Sequence, residues 1–389
     1  RLAIVLALIT PLLVAGAFLG YNWYQQYQTE QAFETHLARA RESLTTARTT
    51  SDREIARSRL AEARQYLREA LDLYPEDERA LQLQNELQQV EDQVRLVTPL
   101  YFVPELYRFV DASIQPARLV VQDRAIYVLD RGNSVVTRHT MNEVGDGLER
   151  GEEVLQVVQK GDQVGNVVVG NLVDLTWMPA GGEREFDSLL ILDASWNLIA
   201  YNETQGLSAQ PLPARETLKS PVLIESFTGA RLYVLDTGNN QIFRYTPTAD
   251  GYTLAPESYF DEDVQVDLSG VRDMSIDGDI WLLFPDHVSR YRAGVPITFE
   301  ITGLDQPFSS PSSLYAVPEG ATPAPHVYVA DTGNGRIVKL TKEGDFVRQY
   351  RPREGARFHD LHDLQIDAGA GKVYFLAGNS LLLADIPQE

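Results

Sequence analysis

Asp236-Thr237-Gly238-Asn239-Asn240-Gln241-Ile242 and Asp331-Thr332-Gly333-Asn334-Gly335-Arg336-Ile337 are two copies of one phrase. Each follows a short apolar run, Leu232-Tyr233-Val234-Leu235 in one case and Val327-Tyr328-Val329-Ala330 in the other. A fainter copy stands at Asp130-Arg131-Gly132-Asn133, and further ones at Asp193-Ala194-Ser195, Pro285-Asp286-His287 and Ala377-Gly378-Asn379. Apart from one longer first interval, the copies are spaced by roughly 43 to 49 residues, the period of a four-stranded propeller blade rather than of a helical solenoid. Six units are therefore expected.

Within a unit, β-branched and aromatic runs alternate with Gly, Asp, Asn and Pro, the signals of strands and turns. First strands are expected from near Pro116, Leu172, Pro221, Ser269, Pro311 and Leu361. In the fourth unit the second strand is Ile280-Trp281-Leu282-Leu283-Phe284, the third runs from His287 to Arg292, and the fourth is Ile297-Thr298-Phe299-Glu300-Ile301. In the repeated phrase, Gly is expected to supply positive φ and Asp or Asn to bond its own backbone, closing the hairpin between second and third strands. The last unit ends at Leu381-Leu382-Leu383-Ala384-Asp385-Ile386 with too few residues left for a fourth strand. Either Tyr101-Phe102-Val103 or Leu106-Tyr107-Arg108-Phe109-Val110 is expected to complete it and close the ring, burying an unpaired edge.

The phrase resembles the NHL repeat, in which a Val-Tyr-Val-Ala-Asp strand leads into Thr-Gly-Asn and Arg-Ile-Val. Val327 to Val338 matches best and Arg231 to Phe243 nearly as well, and the resemblance covers about three quarters of the chain, from Tyr101 to Pro387. It implies a mainly β fold, a six-bladed NHL-like propeller. It does not imply an activity, because such propellers host binding modules, lyases and lactonases alike.

Residues 1–24 are expected to form a transmembrane helix, 25–98 a helical stalk and 99–389 the propeller. The stretch from Leu2 to Leu19 is uncharged and about 18 residues long, enough to span a bilayer. Tyr21, Trp23 and Tyr24 follow as an interfacial belt, and Arg1 on the upstream side favours an inside N-terminus. In the stalk, apolar residues step by four and three: Phe33, Leu37, Ala40, Leu44, Ala47; Ala56, Leu60, Ala63, Leu67, Ala70; Ala80, Leu83, Leu87, Val90. Ser51 or Asp52 is placed to cap a second helix and Pro75 to start a third. Ala70 to Asp77 looks like the end of a tetratricopeptide unit, but the heptads favour a stalk or a homodimerising coiled coil. A net charge of -21 excludes nucleic acid as a partner, and the absence of Cys excludes disulfides and thiol chemistry.

A propeller's first strands line its central channel. Asp174, Asp273 and Asp363 share one slot in the second, fourth and sixth units; Arg118, Val222 and Ser313 are read there in the odd ones. Three carboxylates about an axis form a candidate site for Ca²⁺ or a cationic ligand, with Arg118 and Ser313 as further channel residues. The cluster His359-Asp360-Leu361-His362-Asp363 adds His359 and His362 as candidate metal ligands. No phosphate loop or nucleophile elbow is present, and Glu225 alone does not supply a lactonase constellation.

The expected function is therefore non-enzymatic. The chain reads as a bacterial, single-pass membrane protein whose propeller lies outside the cytoplasm and binds a protein, peptide or glycan. Propellers of this look resemble those of Chloroflexota-like proteins whose cytoplasmic portion is a PP2C-type phosphatase. The alternative is an extracytoplasmic lyase or lactonase using a divalent metal at the channel aspartates.

Overall fold

The computed structural model describes residues 2–318, 320, 325–353 and 357–387, with the side chains of 2–16 and 357 set aside. The chain divides into two compact units, Arg1–Val97 and Thr98–Glu389.

The first unit holds three helices, α1 (Leu2–Thr49), α2 (Arg53–Leu73) and α3 (Glu78–Val94). Asp52 caps α2, its carboxylate accepting the N–H groups of Glu54 at 2.9 Å and Ile55 at 3.2 Å. Asp77 caps α3 in the same way, so the third helix starts at an aspartate cap and Pro75 lies in the turn before it. The apolar positions spaced by four and three are buried among the three helices of a single chain, from Phe33 and Leu37 through Leu60 and Leu67 to Leu83 and Leu87. Among the described residues no helix is long and apolar enough to cross a membrane. The expected span from Leu2 to Leu19 lies, as far as Gly16, outside the residues whose side chains are described, so the structure lends it no support.

The second unit is a six-bladed propeller of antiparallel sheets. Its inner strands are Pro116–Gln122, Leu172–Met178, Pro221–Phe227, Asp273–Ile276, Pro311–Ala316 and Leu361–Asp367. The ring closes as an unpaired edge requires: Glu105–Arg108 lies beside Ser380–Asp385, pairing Tyr107 with Leu381, and becomes the outer strand of blade 6. Tyr101 and Phe102 are exposed and outside any strand, whereas Val97–Leu100 adds a fifth strand to blade 5 that the repeat did not announce. Blade 4 departs from the expected pattern. Its outer strand is Val295–Ile297, and Phe299 instead packs edge-on against Trp281, at 5.1 Å, in the seam with blade 5. Such seams supply the cores: Leu119, Ile126 and Val128 of blade 1 meet Leu376, Leu381 and Leu383 of blade 6.

The repeated phrase does half of the expected job and adds another: its aspartate bonds the backbone of its own turn, but its glycine does not supply positive φ. Asp236 accepts the backbone N–H groups of Lys219 at 2.8 Å and Ser220 at 2.9 Å, and that of Gly238 at 3.0 Å. Asp130 binds Gln115 and Gly132, Asp193 binds Gly170 and Ser195, and Asp331 binds Ser309, each within 2.9 Å. The aspartate thus ties the linker entering its blade to the turn after the second strand. Gly238 and Gly333 do not take positive φ; that falls to Asn240 and Gly335. Glycine is needed for close approach, since a Cβ on Gly333 would lie 2.5 Å from the Ser309 carbonyl oxygen.

Candidate functional site

The slot expected to line the channel is fixed by the ladders between first and second strands. Arg118 faces Leu129, Asp174 faces Leu192, Asp273 faces Leu283, Ser313 faces Ala330 and Asp363 faces Leu376. In blade 3 the equivalent residue is Leu223, opposite Leu235, because a register shift follows Pro221; Val222 is one position off.

These residues do converge, around an arginine. Arg118 places Nε 3.0 Å from Asp174 Oδ1, and Nη1 2.5 Å from Asp273 Oδ1 and 3.5 Å from Asp363 Oδ1. Ser313 Oγ lies 2.8 Å from both Asp273 Oδ2 and Asp363 Oδ1. The second carboxylate oxygens reach sideways: Asp174 accepts the N–H of Ile224 at 2.8 Å, Asp273 that of Leu314 at 2.7 Å, and Asp363 that of Leu119 at 2.7 Å. The three aspartates therefore staple the inner strands in pairs, blade 2 to 3, 4 to 5 and 6 to 1.

Electrostatics follow from this enclosure. Burial opposes the charge on Arg118, but Asp273, Asp363 and Asp174 outweigh it and hold the guanidinium well above its usual range. Burial raises the carboxyls of Asp174 and Asp363 more than Arg118 lowers them. The single Ser313 hydroxyl proton goes to one of the two carboxylates at a time. Deeper along the channel, burial pushes Glu225 up to about 8; Arg118 counteracts this in part, and the hydroxyl of Thr176 donates to Glu225 at 3.0 Å.

The metal expectation is corrected by the same geometry. A guanidinium stands where a Ca²⁺ among Asp174, Asp273 and Asp363 was expected, and among the described residues no group of three or more His, Asp or Glu is arranged to hold a metal ion. His359 is exposed and lies against Gly335, while His362 Nε2 sits 3.9 Å from Asp360 Oδ1. The two histidines do not join the aspartates in one coordination sphere.

Arg118 divides the channel. At the start of the inner strands is a vestibule of about 690 Å³, whose lining includes Arg118, Arg131, Arg272, Ser312, Asp360 and His362. Arg131 and Arg272 are exposed, and Arg131 Nε is anchored on the carbonyl of Val173 at 3.0 Å. At the other end is a chamber of about 220 Å³ that includes Thr176, Trp177, Glu225, Tyr315 and Gln365. Sequence reasoning missed both arginines. Arg131 was the legible one, standing inside the repeated phrase; Arg272 precedes the strand it serves and carries no motif.

The chain matches no protein-family model and no curated protein sequence. The NHL resemblance and its phosphatase-linked implication are thus unconfirmed. Solved structures similar to the propeller include a catalytically inactive virginiamycin B lyase from Staphylococcus aureus, at 12% identity and TM-score 0.45, covering 73% of this chain and 88% of the lyase. A gluconolactonase from Xanthomonas campestris is similar at 10% identity and TM-score 0.48, covering 73% and 89%. A calcium-binding regucalcin from Agrobacterium tumefaciens is similar at 9% identity and TM-score 0.47, covering 75% and 97%. These are likenesses of fold alone. The expectation that the segment is no enzyme is not upheld, because the fold it shares with them is also that of a lyase and a gluconolactonase; the likeness assigns no activity to this chain.

Proposed function

We propose that the propeller is a small-molecule enzyme of the acid–base type, working in the vestibule at the start of its inner strands without a metal. The observation that carries this reading is the convergence of Arg131, Arg272, Asp360 and His362 on one 690 Å³ mouth, above a channel plugged by Arg118. The His362 imidazole takes a proton from water, and the water oxygen attacks the carbonyl carbon of a small ester or lactone. The charge developing on the carbonyl oxygen meets the exposed guanidiniums. Asp360, at 3.9 Å, positions the imidazole by charge rather than by a hydrogen bond. The returned proton then leaves with the alkoxide, completing hydrolysis or ring opening.

The test is a screen of small esters and lactones with the full chain in EDTA. Turnover that survives chelation, falls about 100-fold or more in His362→Ala and shows a raised KM in Arg272→Ala supports the proposal. Turnover abolished by EDTA, unchanged in His362→Ala, or absent across the screen counts against it.

We also propose, on the pattern from Leu2 to Leu19, a single membrane pass that leaves the propeller outside the cytoplasm of a bacterial cell. Recovery of the expressed full chain in the membrane pellet supports this; recovery in the detergent-free supernatant argues against it.

A further inference from the structure

A second chamber lies at the far end of the channel. Its 220 Å³ equals about seven waters of liquid volume, room for a ligand of a few heavy atoms. Trp177 and Tyr315 line it, both half-buried, together with the aliphatic surfaces of Val121 and Leu175. Trp177 is braced from behind by Tyr127, whose ring lies 6.0 Å away and nearly parallel. Its polar end is Glu225, whose hydrogen-bond partners are the hydroxyl of Thr176 at 3.0 Å and the N–H of Ser226 at 3.2 Å. Among the described residues Glu225 forms no ion pair. Arg118, the nearest guanidinium in the channel, is already held by three aspartates.

The approach to this chamber has the same sign. A neighbouring cavity of about 330 Å³ shares Val121, Gln122, Tyr315 and Gln365 with it and is also lined by Asp123 and Asp367, both exposed. The vestibule at the other end presents Arg131 and Arg272 instead, so the two mouths carry opposite character. Asp174, Asp273 and Asp363 are buried around Arg118, whereas Glu225 is half-buried beside the chamber. An enclosed carboxylate is stable only with a proton or a cation beside it.

We infer that this chamber binds a small organic cation, its ammonium group seated on the Glu225 carboxylate and its apolar body against Trp177 and Tyr315. A primary ammonium has three donors for the Glu225 carboxylate and the Thr176 hydroxyl oxygen beside it, and the aromatic walls favour a cation over a neutral isostere. The site is independent of the chemistry proposed at the opposite mouth, from which the Arg118 plug separates it.

Isothermal titration of the full chain with butylammonium, with butanol as the uncharged probe of the same length, tests the inference. Butylammonium is expected to bind at pH 9 and butanol not, with affinity falling at least 10-fold in Glu225→Gln that retains the native circular dichroism and melts in one cooperative transition no lower than the parent's. No heat from butylammonium, equal binding of butanol, or unchanged affinity in Glu225→Gln overturns it. Should that variant not fold, the unaltered protein decides. Glu225 carries a proton below about 8, so butylammonium must bind at least 10-fold more weakly at pH 6.5 than at pH 9. The groups facing Glu225 are Arg118 of blade 1, Asp174 and Thr176 of blade 2, Asp273 of blade 4 and Tyr315 of blade 5. A flat pH profile overturns the inference.

Discussion

Asp363 Oδ2 accepts the backbone N–H of Leu119 at 2.7 Å, joining the last inner strand of the ring to the first. The other oxygen of the same carboxyl faces Arg118 and Ser313, so one residue both closes the propeller and helps plug its channel. Gln365 repeats the closure two residues on, accepting from Val121 N at 2.7 Å and donating to Val121 O at 2.9 Å.

Replacing Arg118 by Met is expected to destabilise the propeller by about 3–5 kcal/mol, because it leaves Asp174, Asp273 and Asp363 buried without their cation. Adding Asp273→Asn should recover part of that loss. Urea denaturation of the single and double variants measures both effects, and an Arg118→Met protein as stable as the parent would show that protons alone neutralise the plug.

Glu225 makes the folded state a better proton acceptor than the unfolded one. Its folded pKa, about 8, exceeds the ordinary glutamate value of about 4.3, so its contribution is fully present below the unfolded pKa and is lost as pH rises through 8. Glu225→Gln is therefore expected to gain on the parent between pH 4.5 and 9, by on the order of 2–4 kcal/mol at the alkaline end. Melting temperatures across that range give the answer; parallel curves would place no such proton on Glu225.

Gly333→Ala forces a methyl against the Ser309 backbone and should cost about 1–3 kcal/mol. Gly147→Ala, whose added Cβ meets only the Asn142 side chain at 3.4 Å, should stay within about 0.5 kcal/mol of the parent. Thermal unfolding of the pair separates close approach from loss of glycine as such.

His139 is buried in blade 1, its ring 4.6 Å from that of Tyr107 and 5.9 Å from that of Phe109, beside the strand that closes blade 6. Burial pushes the imidazole down to about 4, below the usual value of about 6.5. A base with a depressed folded pKa contributes stability above 6.5 that is lost as pH falls towards 4. His139→Phe should flatten this acid limb, read as a smaller drop in melting temperature between pH 7 and 4.5 than the parent shows.

The first-strand starts at Pro116, Leu172, Pro221, Pro311 and Leu361 were legible because each follows a linker rich in turn residues and opens an apolar run. Blade 4 was not, since Gly270 to Arg272 has strand-like neighbours yet lies outside the ladder. The three aspartates and Ser313 were legible as one ring, because a slot repeated at equivalent positions must face the same axis. That the ring is filled by Arg118 was not legible, since a slot assignment says nothing of how far a long side chain reaches across.

Local pattern alone determined the number of blades, the helices with their buried faces, and the aspartate that ends the second strand of blades 1, 2, 3 and 5, because strand period, heptad spacing and turn chemistry are properties of neighbouring residues. Only the tertiary structure decided that glycine serves close approach rather than positive φ, that blade 3 presents Leu223, and that the channel is locked by an ion pair between blades. Those facts depend on residues up to 245 positions apart, Arg118 and Asp363 among them, which only closure of the ring brings within bonding distance.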